Sequence, residues 1–389
     1  MSLQASDEIE QFLIDILNDQ VALQAEQFFA EDVWQQVYRH AERHRVAALI
    51  YWQLRKAHPP LPERFLQPFK QFYLATLGRN GIFLAELNRI IALLTAAGMQ
   101  VVLLKGAVFL RSLYEDIGLR PMSDLDILLR REAIDQAVDL LKQSGYEAPI
   151  LHQSEAIQKD VTHDVHLRQS QPLFVDVEVH WLLGSGEKYR QRTDMDWFWQ
   201  RIIPFEGWAQ GVYTLNPGAH LLYVCGHLAH QHGLGGLGML WLYEVACFLK
   251  KFEHHIDWAD FIAGAKHLAW SAAALYTFRE VEMKFIQAPP QWVLEALRQQ
   301  IASAEEKHVR SMMVMTPSRV ALAWKQIEQL DWAARLRNVR GRLFPSLAFM
   351  RSRYGFKTDW QALLGYPVRW LDLAQIFLKY LWARAKGKR

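Results

Sequence analysis

The sequence is poor in cysteine and has no long apolar run. Only Cys225 and Cys247 occur among the 389 residues, too few for a disulfide framework or a cysteine-based metal site. The longest apolar stretch, IIALLTAAGMQVVLL, is interrupted by Gly98 and Gln100 and is too short to span a bilayer. The first residues, MSLQASDEIEQFL, lack the basic-then-apolar pattern of a signal peptide. These absences predict a cytoplasmic protein without a transmembrane segment.

Excess positive charge is confined to the C-terminal part of the chain. The net charge is only +3, but residues 318–389 hold 15 Lys/Arg against 4 Asp/Glu, a net of +11, which leaves −8 for the rest. This asymmetry indicates an anionic partner for the basic tail, unless the surface merely happens to be basic. The last stretch, VRWLDLAQIFLKYLWARAKGKR, is typical of an amphipathic helix. We expect its apolar face to pack on the protein rather than on a membrane or RNA.

The pattern of apolar residues divides the chain into three regions. Residues 1–98 have helical periodicity, and Gly98 is a plausible helix stop. Residues 99–186 read as strand, helix, strand, helix and hairpin, which is a small α/β unit. Residues 187–389 return to helical periodicity. The sequence therefore predicts an α+β protein whose small α/β core is flanked by N- and C-terminal helical regions.

Two aspartates interrupt an apolar strand in the stretch RPMSDLDILLRR. Asp124 and Asp126 are two residues apart, so on a strand they point to the same face. Like charges held this close repel unless a cation lies between them or one takes up a proton. Paired carboxylates of this kind suit Mg²⁺. A solvated strand end or a helix cap is the alternative interpretation of SDLD.

A phosphate-binding turn is predicted upstream of the aspartates. Lys105 and Gly106 lie where the strand MQVVLLKG turns into the helix AVFLRSLYEDIG. The free N–H groups and the dipole at a helix start favour phosphate. Arg120 and Ser123, just before the aspartates, are candidate phosphate contacts.

A second acidic strand supplies a third carboxylate. In FVDVEVHW, Asp176, Glu178 and His180 share one strand face. A glycine at a helix start, a pair of aspartates on one strand and an acid on another are together what two-metal phosphoryl chemistry requires.

These segments carry a family resemblance. LLKGAVFLRSLYEDIGLRPMSDLDILL, a helix ending in SGYE, and VDVEVHW together resemble the uncharacterised bacterial nucleotidyltransferase family of the DNA polymerase β superfamily. VYRHAERHRVAALIYWQL is similar to that family's N-terminal helical segment, and HLLYVCGHLAHQHGLGGLGMLWLYEVACFL to its downstream helical segment. The resemblance implies a polymerase β-type α/β core.

The resemblance also implies roles for individual residues. Gly106 matches the glycine that opens the phosphate-side helix, and Asp124 and Asp126 match the metal-binding pair. Glu178 stands where the family usually has an aspartate directly before HW, and we prefer it to Asp176 as the third acid. The spacing from Gly106 to the pair is longer than in many members. The second small residue after the glycine is here an alanine, which has no hydroxyl for a phosphate.

Further polar residues lie downstream of the core. In HLAHQH, His227 and His230 share a helix face, while His232 is near the helix end. A zinc site or contacts near the nucleotide are conceivable, but plain packing is the preferred interpretation. Glu244, where the family tends to have an aspartate, is expected to cap a helix rather than to reach the substrate.

The function predicted from this reasoning is Mg²⁺-dependent nucleotidyl transfer from a nucleoside triphosphate to a hydroxyl acceptor, which is a small molecule, a protein or an RNA. Asp124 and Asp126 would bridge two Mg²⁺ ions, and Glu178 would hold the ion that activates the acceptor. The Lys105–Gly106 turn and Arg120 would bind the triphosphate. The alternative is a non-catalytic nucleotide-binding or partner-binding module, for example of the toxin–antitoxin type.

Overall fold

The chain forms an α+β fold with helical flanks, so the predicted fold class is confirmed. The computed structural model describes residues 3–19, 31–56, 61–148, 163–169, 174–184, 193–208, 210–232, 234, 238–313 and 332–386. No helix in these ranges combines the length and the hydropathy needed to cross a lipid bilayer.

In the described ranges before the sheet the chain forms four helices, as the apolar periodicity predicted. They are α1 (Leu3–Leu17), α2 (Glu31–Arg43), α3 (Ala47–Leu54) and α4 (Glu63–Ala96). The long helix α4 ends just before Gly98, whose φ of +80° lies in the left-handed region that favours glycine. The predicted stop at Gly98 is therefore confirmed.

A six-stranded mixed sheet follows. Its strands are β1 (Val101–Leu103), β2 (Leu125–Leu128), β3 (Asp164–Gln169), β4 (Val175–His180), β5 (Ile202–Pro204) and β6 (Val212–Leu215). Helices α5 (Lys105–Ser112), α6 (Ile134–Gln143) and α7 (Met195–Trp199) lie between them. The spatial order is β3-β4-β2-β1-β6-β5. Strand β2 pairs antiparallel with β1 and parallel with β4, and β3–β4 is the predicted hairpin.

Both faces of the sheet are covered by apolar cores. In β1, Val101 and Leu103 join a core with the apolar side of α4, whereas Val102 joins the larger helical core on the other face. Successive strand residues point to opposite faces, so every side chain of a strand that is buried on both faces is expected to be apolar. Asp126 in β2 is therefore an exception that the packing itself does not explain.

The sheet extends beyond the predicted core. Strands β5 and β6 form an antiparallel pair, and β6 adds to β1 in parallel. They lie in residues 187–389, for which only helices were expected, and that expectation was wrong. The division of the chain at residues 98 and 186 remains a prediction, and the sheet crosses its second boundary.

After β6, the described residues are mainly helical. The helices are α8 (Pro217–His227), α9 (Met239–Phe252), α10 (Trp258–His267), α11 (Ser271–Lys284), α12 (Gln291–Gln300), α13 (Ser303–Met313), α14 (Trp332–Leu343), α15 (Leu347–Tyr354), α16 (Asp359–Leu364) and α17 (Tyr366–Lys386).

The last helix, α17, exposes part of its apolar face. Leu371 and Leu378 of α17 are 65% and 63% exposed. The expectation that its apolar face is buried was wrong for these residues. The start of the helix contacts the preceding chain, where Trp370 Nε1 donates to the Leu343 carbonyl and the Trp370 ring lies against Phe344.

The buried neutral histidines predict that the folded protein loses stability in acid. Burial lowers the pKa of both His220 and His230 to about 3, whereas an unfolded histidine titrates near 6.5. The unfolded chain therefore binds protons that the folded chain cannot, so the free energy of unfolding falls as pH drops below about 6.5. Each such histidine contributes up to about 1.4 kcal/mol per pH unit. Urea unfolding at pH 7 and pH 5 measures this slope.

The variant His220→Phe is the control for this prediction. The His220 ring stacks on Phe109 at 5.3 Å between centroids, in surroundings that suit an aromatic ring. We expect the variant to reduce the slope by at most about 1.4 kcal/mol per pH unit, the limiting effect of one proton. A slope equal to that of the parent would show that His220 does not titrate with folding.

Candidate active site

All seven residues predicted from the sequence line one cavity of about 310 Å³. They come from the β1–α5 turn, the loop before β2, β2 itself and β4: Lys105, Gly106, Arg120, Ser123, Asp124, Asp126 and Glu178. The rest of the lining comes from helical parts of the chain: Arg45, His227, Gln231, His232 and Trp241. The cavity therefore lies where the sheet meets the flanking helices.

Asp126 is a buried carboxylate held by two cationic partners. The Lys105 ammonium donates to its Oδ1 at 3.0 Å, and His180 Nε2 donates to the same oxygen at 2.9 Å. Burial alone would raise the pKa of Asp126, but Lys105 and His180 outweigh burial and hold the pKa well below its usual range. Burial alone would lower the pKa of His180, but its hydrogen bonds to Asp126 and Glu178 raise this pKa to about 9. Asp126 is therefore ionised in the folded protein.

Asp124 has the opposite electrostatic environment. It immediately precedes β2 and is half-buried, and it accepts one hydrogen bond from Ser123 Oγ at 3.1 Å. Burial raises its pKa, and the nearby carboxylates of Asp126 and Glu178 raise it further. The site thus carries negative charge that Lys105 does not fully neutralise, which is the condition that a divalent cation relieves.

Strand register places Glu178, and not Asp176, beside Asp126. The Cα partner of Asp126 across the parallel β2–β4 pair is Glu178. Asp176 is not part of the cavity lining and accepts from Arg168 of β3, with Nε at 2.6 Å and Nη2 at 3.0 Å. The two acids share a strand face, as expected, but only Glu178 reaches the cavity.

The acids of the cavity fit Mg²⁺ in part. Asp126, Glu178 and His180 offer ligand atoms that lie within 4.8 Å of one another. Among the described residues, Asp124 belongs to no such group, although Coulomb repulsion from both carboxylates acts on it. Asp126 and Glu178 on the paired strands each offer a carboxylate oxygen, and Asp124, whose pKa is raised, offers a third. Mg²⁺ binds carboxylate oxygens of this kind together with substrate phosphates.

The turn from β1 to α5 is backbone-strained at Lys105. This residue has a φ of +33°, in the left-handed region that side chains disfavour. Strain of this kind is concentrated at functional sites, and here it accompanies an ammonium that contacts Asp126. Gly106 follows in the first turn of α5, and a Cβ there would lie 3.1 Å from Arg120 Nη1. Glycine at this position lets the guanidinium lie against the helix start.

Arg120 lines the cavity, and its guanidinium is bound by the carboxylate of Glu244. Its Nε donates to Glu244 Oε1 at 2.5 Å and its Nη2 to Oε2 at 3.3 Å, and Tyr114 also donates to this carboxylate. Arg120 and Glu244 are both buried. The expectation that Glu244 caps a helix was wrong, because it lies within α9 and orients the arginine instead. Asn80 of α4 donates to the Arg120 carbonyl at 2.6 Å and so fixes the loop before β2.

The buried pair of Arg120 and Glu244 predicts a large stability effect. Glu244→Ala leaves the guanidinium buried without its counter-charge, which costs about 3–5 kcal/mol of unfolding free energy. Urea unfolding of Glu244→Ala measures this loss, with Glu282→Ala on the exposed face of α11 as the matched control. The control should change stability by less than about 0.5 kcal/mol. Equal effects of the two variants would contradict the anchoring role.

Arg45 is a cationic lining residue that the sequence analysis missed. It lies between α2 and α3 with a φ of +62°, and its Nη2 donates to the Pro121 carbonyl at 2.8 Å. Burial lowers its pKa, and the Arg120 charge lowers it further. No local pattern marks it, because its position over the cavity depends on contacts about 75 residues away in sequence.

The histidines after α8 are arranged differently from the prediction. Residues Leu228–His232 form a π-helix, whose wider turn brings residues i and i+5 together. His227 and His232 therefore meet at 3.0 Å between their Nε2 atoms and line the cavity. The prediction that His227 shares a face with His230 was wrong, because His230 packs near Trp270. His232 also lies against Trp241, with ring centroids 4.3 Å apart.

The comparisons with known proteins support the sequence resemblance. The profile of an uncharacterised nucleotidyltransferase family matches residues 30–285, well over half of the chain, and this range includes every residue of the cavity lining. No curated protein matches the chain. Because the family profile covers the α/β core and the helices on both sides of it, the chain belongs to the uncharacterised nucleotidyltransferase family.

Proposed function

We propose that the protein transfers a nucleoside monophosphate from a nucleoside triphosphate to a hydroxyl acceptor and that it requires Mg²⁺. The observation that carries this proposal is the convergence of Asp124, Asp126 and Glu178 in one cavity with the Lys105–Gly106 turn. Membership of a nucleotidyltransferase family supports it independently.

The three acids have distinct roles in the proposed site. Asp124, Asp126 and Glu178 would hold two Mg²⁺ ions, which supply charge stabilisation for the transferring phosphoryl group when bound. Lys105 keeps Asp126 ionised and fixed, and His180 orients the same carboxylate from the opposite side. Glu178 would hold the ion beside the attacking oxygen.

The proposed reaction is an in-line displacement at the α-phosphorus. The acceptor oxygen forms a bond to this phosphorus while the bond to the β-phosphate oxygen breaks, and pyrophosphate leaves with the bonding electrons. The acceptor hydroxyl proton passes to solvent. The α5 N-terminus and the guanidinium of Arg120 would bind the triphosphate, and the cationic Arg45 adds to the positive wall of the cavity.

A nucleotide-binding module without catalysis is the second candidate. Two observations favour it. The residue after Gly106 is Ala107, a buried side chain with no hydroxyl for a phosphate. Arg120 is already bound to Glu244, which limits how far the guanidinium can follow a phosphate.

Calorimetric titration tests nucleotide binding for both candidates. We expect at least one of ATP, CTP, GTP and UTP to bind the full-length protein more tightly with Mg²⁺ than without it. The matched variant Asp124→Asn should lose this Mg²⁺ dependence. If no nucleotide binds in either condition, or if the variant responds to Mg²⁺ as the parent does, the proposed site is wrong.

We also propose a cytoplasmic location and an anionic partner for residues 318–389. The support for the partner is the net charge of +11 in this tail.

A further inference from the structure

We propose that His163, Asp164 and His180 form a second metal site, of the transition-metal type, next to the acidic wall of the cavity. One ligand atom from each residue lies within 4.8 Å of the others. Two imidazoles and one carboxylate suit Zn²⁺ and similar ions, whereas Mg²⁺ prefers oxygen ligands. The three ligands include none of the three acids proposed for catalysis, and the site adjoins the proposed transfer site through the contact of His180 with Asp126.

The distance from His163 to Asp164 matches tetrahedral coordination, and the distance from His180 to Asp164 is somewhat longer. His163 Nε2 lies 3.4 Å and His180 Nδ1 lies 3.9 Å from Asp164 Oδ2. Bonds of about 2.0–2.1 Å at tetrahedral angles separate two ligand atoms by roughly 3.4 Å. Both separations exceed a good hydrogen bond. The three side chains therefore converge on one point without making strong hydrogen bonds to one another.

His180 has the orientation of a metal ligand. Its side chain is buried, and its Nε2–H donates to Asp126 at 2.9 Å. Its other nitrogen, Nδ1, is buried and has no hydrogen-bond partner within the described residues. A metal-bound histidine usually donates its second N–H to a carboxylate, which fixes the ring. Asp126 is placed to be that outer partner. The ion would displace a proton from Nδ1.

Two neighbouring side chains complete the surroundings of the site. Gln231 Nε2 lies 3.3 Å from His163 Nε2, and half a turn of this amide presents Oε1 to the ion as a fourth ligand. His166 Nε2 lies 3.5 Å from Asp164 Oδ2, and its Nδ1 lies 3.4 Å from Glu178.

Asp164, His166 and Glu178 form a rival triad, whose ligand atoms also lie within 4.8 Å of one another. That triad would draw Glu178 away from the Mg²⁺ site, and it offers only one imidazole. The triad with His163 and His180 offers two imidazoles, and its ligand atoms lie within 4.8 Å of one another without the use of Glu178. The geometry therefore favours the triad with two histidines.

Titration of the metal-free full-length protein with Co²⁺ tests this site. Tetrahedral Co²⁺ has a visible absorption band that octahedral Co²⁺ nearly lacks, and Zn²⁺ should displace it. We expect one equivalent of Co²⁺ in the tetrahedral form. His163→Ala should weaken binding by more than about 100-fold, since losing even an outer partner costs about 10- to 100-fold. Asp124→Asn should bind Co²⁺ here as the parent does.

Two variants control this experiment. His254→Ala, at an exposed position remote in sequence, should leave the band unchanged. His166→Ala should retain it as well. The proposal is wrong if the parent shows no tetrahedral band or if His163→Ala binds Co²⁺ as tightly as the parent. It is also wrong if His166→Ala loses the band while His163→Ala keeps it. His163→Gln replaces the alanine variant if the latter fails to fold.

Discussion

Asp124→Asn is expected to lose most nucleotidyl transfer while leaving the metal-free protein at least as stable as the parent. A bound metal supplies several kcal/mol to the transition state, and each 1.4 kcal/mol is a factor of ten, so the loss should reach about 10³-fold or more. Stability should not fall, because the Asp124 carboxylate is repelled by its neighbours and its pKa is raised. Turnover assays and urea unfolding without metal measure the two effects.

Asp126→Asn is the matched comparison for this prediction. It should also lose turnover, but it leaves Lys105 and His180 buried without their counter-charge. Removing one partner of a buried pair costs about 3–5 kcal/mol, so this variant should be clearly less stable. If Asp124→Asn keeps its rate within tenfold of the parent, or if both variants lose stability equally, the distinct roles of the two aspartates are wrong.

Glu178→Gln is expected to lose turnover by about 10³-fold or more and to retain most of its affinity for Mg·NTP. Glu178 is the register partner of Asp126 and lines the cavity. In two-metal transfer the third acid holds the ion beside the attacking oxygen, whereas the ion of the leaving pyrophosphate binds without it. The loss should therefore appear in kcat rather than in nucleotide affinity.

The control for this prediction is Asp176→Asn on the same strand face. Asp176 pairs with Arg168 outside the cavity, and both partners are partly exposed, so the variant should change the rate and the stability little. Single-turnover kinetics together with calorimetry separate chemistry from binding. If Asp176→Asn loses the rate while Glu178→Gln keeps it, the wrong acid was chosen. If both keep the rate, β4 has no catalytic role.

The acidic part of the site was predictable because it depends on short-range patterns. The spacing of Asp124 and Asp126 sets their common face, and the parallel pairing of β2 with β4 brings Glu178 beside Asp126. The glycine after β1 marks the turn into α5. Each residue could be picked out from the period of a strand or the start of a helix, whereas the pairing of β2 with β4 that brings them into one cavity is a contact between strands distant in sequence.

The cationic and histidine parts were not predictable in the same way. Arg45 reaches the cavity through a contact with Pro121 that is distant in sequence. Glu244 reads as an ordinary helix residue until its partner Arg120 is known. His232 contacts His227 because a π-helix replaces the regular α-helical turn. The sequence pattern does not predict this π-helix.

Short strands explain the missed part of the fold. Strand β5 has three residues and β6 has four, and the sequence after residue 186 is otherwise strongly helical in period. A run this short cannot be told from a helix segment by periodicity alone. Pairing of β6 with β1 makes it a strand, and that contact spans more than one hundred residues of sequence.

The most direct test of the proposed reaction is transfer from two differently labelled nucleotides. The full-length protein is incubated with Mg²⁺, cell extract and ATP, CTP, GTP or UTP that carries ³²P at either the α- or the γ-position. Nucleotidyl transfer predicts that the α-label moves to an acceptor and that the γ-label appears in pyrophosphate. Asp124→Asn should give neither product. Transfer of the γ-label to an acceptor, or tight binding of Mg·NTP with no transfer of either label, would contradict the proposed function.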